Sequence, residues 1–153
     1  MRRNDKEIKD PILIEKILEK ADICRIALID EGRPYIVPMN YGYKDQCIYL
    51  HSASEGHKID ILKKNNQVCF EIEYKTELLK AEKPCQYGMK YYSIIGWGNT
   101  KFLTDFQEKI KSLDIIMQKH DPNMIFKYNE NQVNLLTIIL IEIDKLTGKM
   151  SGY

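Results

Sequence analysis

The sequence lacks several features that mark membrane, secreted and metal-binding proteins. No apolar run approaches the ~20 residues that a membrane-spanning helix needs, and no charged-then-apolar leader opens the chain. The cysteines are too far apart to form a Cys-x-x-Cys pair that could hold a metal or act as a redox dithiol; they are Cys24, Cys47, Cys69 and Cys85. We therefore expect reduced thiols in a soluble, cytoplasmic protein without a metal site.

The chain also lacks an excess of charge of either sign. Its 23 basic and 22 acidic residues give a formal net charge of +1, so no overall field attracts nucleic acid or an anionic membrane. No Gly-x-Gly-x-x-Gly fingerprint is present, so stable NAD(P)H binding is not predicted. With 153 residues, 44% of them hydrophobic, the chain is long enough to form one domain over residues 1–153.

Hydrophobic periodicity predicts a mainly β protein of the α+β class. Apolar and alternating runs indicate strands at residues 23–30, 34–43, 67–74, 90–103 and 135–143, and one that ends at His51. Helical spacing indicates helices from Pro11 to about Lys20, from the region of Gly56 to about Lys64, and from Asp105 to near His120. Because strands follow strands, we expect an antiparallel barrel with peripheral helices rather than a doubly wound sheet.

Three further segments are predicted to lie outside regular structure. Residues 1–10 are charged and are expected to form a mobile or ligand-facing arm. Residues 75–89 have mixed character and predict a long loop with one helical turn. Residues 147–151 are small and basic and predict a frayed end.

Pro38 indicates an irregularity within the second predicted strand. Proline has no amide hydrogen for a ladder, so it implies an edge, a bulge, or a place where something other than a strand takes the hydrogen bonds. A bulge that curls a barrel is the interpretation we favour. The functional alternative is exposed backbone from Pro38 to Tyr41 that pairs with the polar edge of a flat heterocycle, and the two are compatible.

Residues 49–58, here called the anion loop, join the strand ending at His51 to a helix. Small residues allow backbone amides to approach a ligand closely; they are Ser52, Ala53, Ser54 and Gly56. Ser54 or Ser52 is a candidate cap, and the start of a helix presents free N–H groups that favour phosphate. Lys58 in the first turn opposes the helix dipole unless an anion binds there. Two interpretations stay open: Lys58 binds a phosphate, or Glu55 neutralises it at the surface.

Taken together, four motifs resemble one family. These are Met1-Arg2-Arg3, Pro34-Tyr35-Ile36-Val37-Pro38-Met39-Asn40-Tyr41, Tyr49-Leu50-His51 with Gly56 and Lys58, and Tyr92-Ser93-Ile94-Ile95-Gly96. In this order the set resembles the pyridoxamine 5′-phosphate oxidase-like proteins, which are flavin-binding split barrels, and within them the nitroimidazole-resistance branch. The resemblance implies a six-stranded antiparallel split barrel and a homodimer with FMN in two clefts between the subunits.

The resemblance also implies roles for individual residues. Residues 38–41, here called the ring segment, would lie along the isoalloxazine; they are Pro38, Met39, Asn40 and Tyr41. The ribityl phosphate would be held by His51, Ser52, Ala53, Gly56 and Lys58, and Ser93 would contribute to the cleft or to the dimer seam. No arginine cluster that reads pyridoxamine phosphate is found and the longer C-terminal substrate segment of the oxidases is missing, so oxidation of vitamin B6 is not expected.

Three functions agree with this sequence. The first is an FMN-dependent oxidoreductase that reduces small electrophiles such as nitroaromatics, with the flavin carrying the redox chemistry. The second is a flavin- or haem-binding module that stores or senses a cofactor without turnover, and the third is a structural barrel with a vestigial cleft. His51 is a candidate proton donor in the first case, although a tether to phosphate or backbone is the role we favour.

Overall fold

The computed structural model describes residues 3–153, so Met1 and Arg2 of the opening motif lie outside the described residues. The strands are β1 (Glu7–Ile8), β2 (Ile23–Asp30), β3 (Arg33–Asn40), β4 (Gly42–Lys44), β5 (Cys47–Ala53), β6 (Gln67–Leu79), β7 (Gly88–Leu103) and β8 (Leu136–Ser151). The helices are α1 (Pro11–Lys20), α2 (His57–Lys64), α3 (Phe106–His120) and α4 (Glu130–Asn134). Short 3₁₀ turns occupy Asn4–Lys6 and Pro84–Gln86.

The strands form one antiparallel sheet that must curl round on itself. Their order is β3-β2-β6-β7-β8-β5-β4, with β1 beside β8. Its two outermost strands, β3 and β4, are separated in the chain by Tyr41 alone, so opposite edges of the sheet are brought together. The predicted antiparallel split barrel is therefore confirmed, with eight strands in place of six. The two additions are short: β1 falls in the predicted arm, and β4 is the end of the predicted run 34–43.

Alternating side chains on the inner face of the sheet build the barrel core. Completely enclosed residues recur at every second position along the strands and meet two residues of α1; among them are Cys24, Ile26, Ile48, Leu50, Phe70, Ile72, Ile17 and Leu18. Gly96 faces this core, where a Cβ would clash with the ring of Phe70. The sheet thus holds its neighbouring strands rigidly through dense packing.

The helices begin where the sequence predicts. Asp10 accepts a hydrogen bond from the amide of Ile12 at 2.9 Å, and Pro11 occupies the first helical position of α1. The side chain of Asp105 likewise accepts from the amide of Glu108 at 3.0 Å at the start of α3. α3 then packs directly on β4, which keeps the barrel closure covered.

The bulge favoured at Pro38 is wrong. β2 and β3 pair in unbroken register from Ile23 opposite Asn40 to Asp30 opposite Arg33. β3 has β2 as its single partner in the described sheet, so the missing amide hydrogen of Pro38 lies on an edge strand, the other structural alternative.

Three predicted irregular segments are more ordered than expected. Part of the arm forms β1, in which Ile8 pairs with Gly148, and the expected frayed end belongs to β8. A Cβ at Gly148 would lie 2.9 Å from Cβ of Ile8, so the small residue is what allows this pairing. The loop 75–89 shortens because β6 runs to Leu79 and β7 begins at Gly88, and its predicted helical turn is the one at Pro84–Gln86.

Candidate functional site

A cleft of about 480 Å³ lies between β3 and the anion loop. It is lined by Tyr35, Val37, His51, Ser52, Ala53, Glu55, Gly56, His57, Lys58 and Leu136. All five residues predicted to hold a phosphate are therefore brought to one place. Tyr35, Val37 and Leu136 were missed: the two β3 residues share the inward face with Met39 at a period of two, whereas Leu136 reaches the cleft by pairing opposite Ala53.

Gly56 shapes the floor of the cleft. It caps α2 with φ 120° and ψ 166°, a backbone conformation that side chains with a Cβ rarely adopt. Its carbonyl accepts from the amides of Ile59 at 2.8 Å and Asp60 at 3.1 Å. The amides of His57 and Lys58 then remain as the free donors of the first turn.

A serine cap at this helix, as predicted from the sequence, is wrong. Among the described residues, no side chain caps α2. Ser52 lies instead within β5, where it pairs opposite Thr137, because the strand continues to Ala53. The helix start is therefore open to a ligand rather than occupied by its own chain.

Lys58 is a partly buried cation without a counter-ion. Burial lowers the pKa of its ammonium group. Among residues 3–153, no carboxylate lies within 4.0 Å of its Nζ atom, so the alternative in which Glu55 neutralises Lys58 is not realised. A group of this kind gains from a bound anion, which would replace its lost hydration.

His51 lines the same cleft and carries an unsatisfied polar atom. Its Nδ1 atom is buried and has no hydrogen-bond partner within the described chain. Burial, and to a lesser degree the charge of Lys58, lowers the pKa of the imidazole. A nitrogen without a partner is an exception among buried polar groups.

The rim of the cleft carries a polar contact. Nε2 of His57 lies 3.0 Å from Oδ2 of Asp30, and the His57 ring meets Tyr35 edge-on with centroids 4.9 Å apart. Both partners belong to the β2–β3 hairpin. The sequence alone assigns no role to His57, because nothing local reveals the approach of Asp30.

The ring segment does not line this cleft. Met39 packs against the barrel core, and Pro38 and Asn40 are exposed on the opposite face of β3. Tyr41 is 0% exposed, and its hydroxyl donates to the carbonyl of Leu18 at 2.7 Å. Tyr41 therefore serves the core and presents no surface to a ligand, which corrects its expected position along a flavin ring.

Ser93 also lies away from the cleft, on the outer face of the sheet. Its hydroxyl donates to Oε1 of Glu71 at 3.2 Å, and Arg25 donates to the other oxygen of that carboxylate at 3.2 Å. Large apolar side chains surround this polar cluster on the same face: Ile36 is 60%, Trp97 43% and Ile95 40% exposed. An exposed apolar patch rimmed by polar residues is a feature of interaction surfaces.

Residues 13–150 match the family model for pyridoxamine 5′-phosphate oxidase. The chain belongs to the pyridoxamine 5′-phosphate oxidase family. The resemblance drawn from the ordered motifs is thereby confirmed over nearly the whole chain. No curated protein sequence matches it significantly.

Solved structures show which members of the family this chain is similar to. A candidate 5-nitroimidazole antibiotic resistance protein from Bacteroides thetaiotaomicron VPI-5482 is 38% identical, with a TM-score of 0.84 over 94% of this chain and 85% of that chain. It supports the nitroimidazole-resistance branch. The flavocytochrome Anf3 from Azotobacter vinelandii shares the fold at 15% identity, with a TM-score of 0.86 over 100% of this chain and 72% of that chain. An FAD- and haem-binding protein from Mycobacterium smegmatis does so at 14% identity, with a TM-score of 0.86 over 97% and 74%.

Within residues 3–153, no helix is both long and apolar enough to cross a membrane. Over that same range, His, Cys, Asp and Glu side chains do not form a group of three or more that could hold a metal ion.

Proposed function

We propose that this protein is an FMN-binding flavoprotein that reduces small electrophiles such as nitroaromatics. Membership of the family supports a flavin-type cofactor, and the 38% identical relative supports the nitro compound as substrate class. Flavocytochrome and FAD-binding relatives of the same fold point to the same chemistry.

The observation that carries the proposal is the pair of unsatisfied groups in one cleft. Lys58, which has no counter-ion within residues 3–153, lines the cleft beside the free amides of α2, and His51, whose Nδ1 is buried without a partner, lines the same cleft. A phosphate monoester carries about −1.5 to −2 charges and three acceptor oxygens, so it would satisfy the ammonium and the amides together. Lys58, His51, Ser52 and the backbone at Gly56 would hold it.

When bound, the flavin supplies the electron transfer itself. The residues of this chain bind it, orient it and exclude water from one side. Because burial and Lys58 both lower the pKa of His51, its imidazole is neutral near pH 7 and suits a tether better than a proton donor.

A homodimer completes the site in this proposal. The cleft of one chain supplies the phosphate end, whereas Pro38, Asn40 and Ser93 lie outside it on the exposed sheet face. Covering that apolar face with a second copy would bury Ile36, Ile95 and Trp97 and enclose the ring end of the cofactor. Light scattering should give a dimer at micromolar concentration, and a monomer would contradict this geometry.

An absorbance spectrum of the purified protein, followed by FMN titration, tests the proposal. Flavin bands, or quenching of flavin fluorescence on titration, would support it, and steady NAD(P)H consumption with a nitro acceptor would support turnover. A Soret band would favour the haem-binding alternative. A protein that stays colourless with added FMN would refute it.

Replacement of Lys58 gives the sharpest test of phosphate binding at the anion loop. Lys58→Ala should weaken FMN binding by about 1–3 kcal/mol, or ~5- to 150-fold, because a charge-assisted contact to the phosphate is lost. Lys63→Ala is the matched control, since Lys63 is exposed on the same helix. Equal dissociation constants for the two variants would remove Lys58 from the site.

A further inference from the structure

His57 connects two parts of the cleft wall that are distant in sequence. It is the first residue of α2 and directly precedes Lys58. Its Nε2 lies 3.0 Å from Oδ2 of Asp30, the last residue of β2, and its ring meets that of Tyr35 on β3 at an interplanar angle of 76°. One side chain therefore joins the anion loop to the β2–β3 hairpin.

The middle of the anion loop lacks strand partners, whereas both of its ends are anchored. Ala53 pairs opposite Leu136, and Ile59 next to Lys58 is buried in the core, but residues 54–56 pair with no strand in the described sheet. The His57 side chain is 55% exposed and that of Asp30 31%, and polar contacts at such exposure contribute little to folding stability. A contact that matters little for stability can still bias the position of the first turn of α2, which carries Lys58.

We propose that His57 is a positioning residue that holds the anion loop against the β2–β3 hairpin, so that Lys58 and the inner face of β3 address the same ligand. The inference rests on the function proposed above. If the anion loop binds the phosphate and β3 contacts the ring of the same cofactor, both contacts depend on the distance between the loop and the strand. Displacements of about 1 Å can lower binding or activity by large factors in such sites.

A competing explanation makes the opposite prediction for one variant. The Asp30 carboxylate could act on a bound phosphate only as a repelling charge that His57 screens. Asp30→Ala would then tighten FMN binding, because the repulsion is removed. If the contact positions the loop, Asp30→Ala should weaken FMN binding as His57→Ala does, because alanine leaves Nε2 of His57 without its acceptor.

The test is a titration of the full-length protein with FMN and with riboflavin, which lacks the phosphate. His57→Ala and Asp30→Ala should each weaken FMN binding about three- to tenfold and change riboflavin binding less than about twofold. The double variant should bind FMN no more weakly than His57→Ala, because both changes break one contact. His120→Ala, at the exposed end of α3, is the control and should match the wild type.

Several results would overturn the inference. Tighter or unchanged FMN binding by Asp30→Ala, unchanged binding by His57→Ala, or an equal loss for FMN and riboflavin would each do so. If the wild-type protein binds FMN and both variants bind it as well as His120→Ala does, only the proposed role of His57 is refuted. If the wild-type protein binds neither FMN nor riboflavin, the proposed function is refuted, and this inference with it.

Discussion

Lys119 carries a buried amine next to the barrel closure and should weaken the fold at neutral pH. Its Nζ atom lies 3.1 Å from the centroid of the Tyr41 ring, and this atom is buried without a hydrogen-bond partner within residues 3–153. Burial lowers the pKa of the ammonium from 10.5 to about 7, and attraction by Asp22 and Cys24 opposes this more weakly. The ring face attracts a cation but supplies no lone pair, so it replaces only part of the lost hydration.

The size of the penalty follows from the two pKa values. The difference between 10.5 and about 7 corresponds to a ceiling of ~4.8 kcal/mol, at about 1.36 kcal/mol per pKa unit. The side chain of Lys119 is only partly buried, so solvent screens a large share of that value, and we expect ~1–2 kcal/mol. Lys119→Met keeps the length of the side chain over Tyr41 and removes the charge, so it should stabilise the protein by about that amount.

The gain should depend on pH in a defined direction. The unfolded chain keeps the proton on Lys119 up to 10.5, whereas the folded chain releases it at about 7. Stability therefore rises with pH between these values, and the benefit of Lys119→Met is full below about 7 and vanishes above 10.5. Urea denaturation of the cofactor-free protein at about pH 6 and about pH 10 measures the difference.

Two results would refute this reasoning. One is a Lys119→Met variant that is less stable than the wild type at low pH, which would mean that attraction by the Tyr41 ring exceeds the cost of burial. The other is an equal gain at both pH values, which would point to packing rather than charge. Lys111→Met, at an exposed position of the same helix, is the control and should show neither effect.

Three more predictions concern packing and the cleft. Gly42→Ala would place a methyl group 2.8 Å from the backbone nitrogen of Ile116 in α3. This variant should therefore lower the free energy of unfolding by about 1–3 kcal/mol. An unchanged midpoint of thermal unfolding would show instead that α3 can move aside. The new methyl group of Gly56→Ala would meet no neighbouring atom, but the residue would have to keep φ near 120°. Because this conformation is strained for alanine, the variant should weaken FMN binding by about 1–3 kcal/mol. Equal affinity of variant and wild type in a fluorescence titration would contradict this. FMN affinity should also fall as pH rises through the lowered pKa of Lys58, since a phosphate favours the ammonium form; affinity that stays flat up to about pH 10 would count against the contact.

Strands could be predicted from the sequence where one face stays in the core. β2 was predicted with its observed bounds, because Cys24, Ile26 and Leu28 alternate with less buried neighbours over its whole length. The prediction for β6 stopped at Tyr74, because the register against β7 shifts beyond that residue. β8 was cut short at residue 143 because the exposed Asp144 and Lys145 end the apolar run, although the strand continues.

The candidate site divides in the same way into local and long-range parts. His51 to Lys58 are neighbours in the chain, so their residue types and spacing could be interpreted together. Leu136 reaches the cleft only through strand pairing, and Asp30 reaches His57 only through hairpin geometry, which no local pattern encodes. Tyr41 was assigned to a ligand by resemblance, but the single residue between the two outermost strands has to be enclosed if the barrel is to close.

The split in the barrel explains why the proposed ligand site lies at this place. β4 pairs only with residues 47–49 of β5, so residues 50–53 have no strand on that side in the described sheet. β3 is likewise open along its outer edge, and the cleft lies where these two edges face each other. Unpaired backbone groups at a strand edge need a partner, and water, a second chain or a bound cofactor can supply it. A flavin with polar ring edges and a phosphate would satisfy the edges and Lys58 at once, which makes the gap in hydrogen bonding the structural origin of the proposed site.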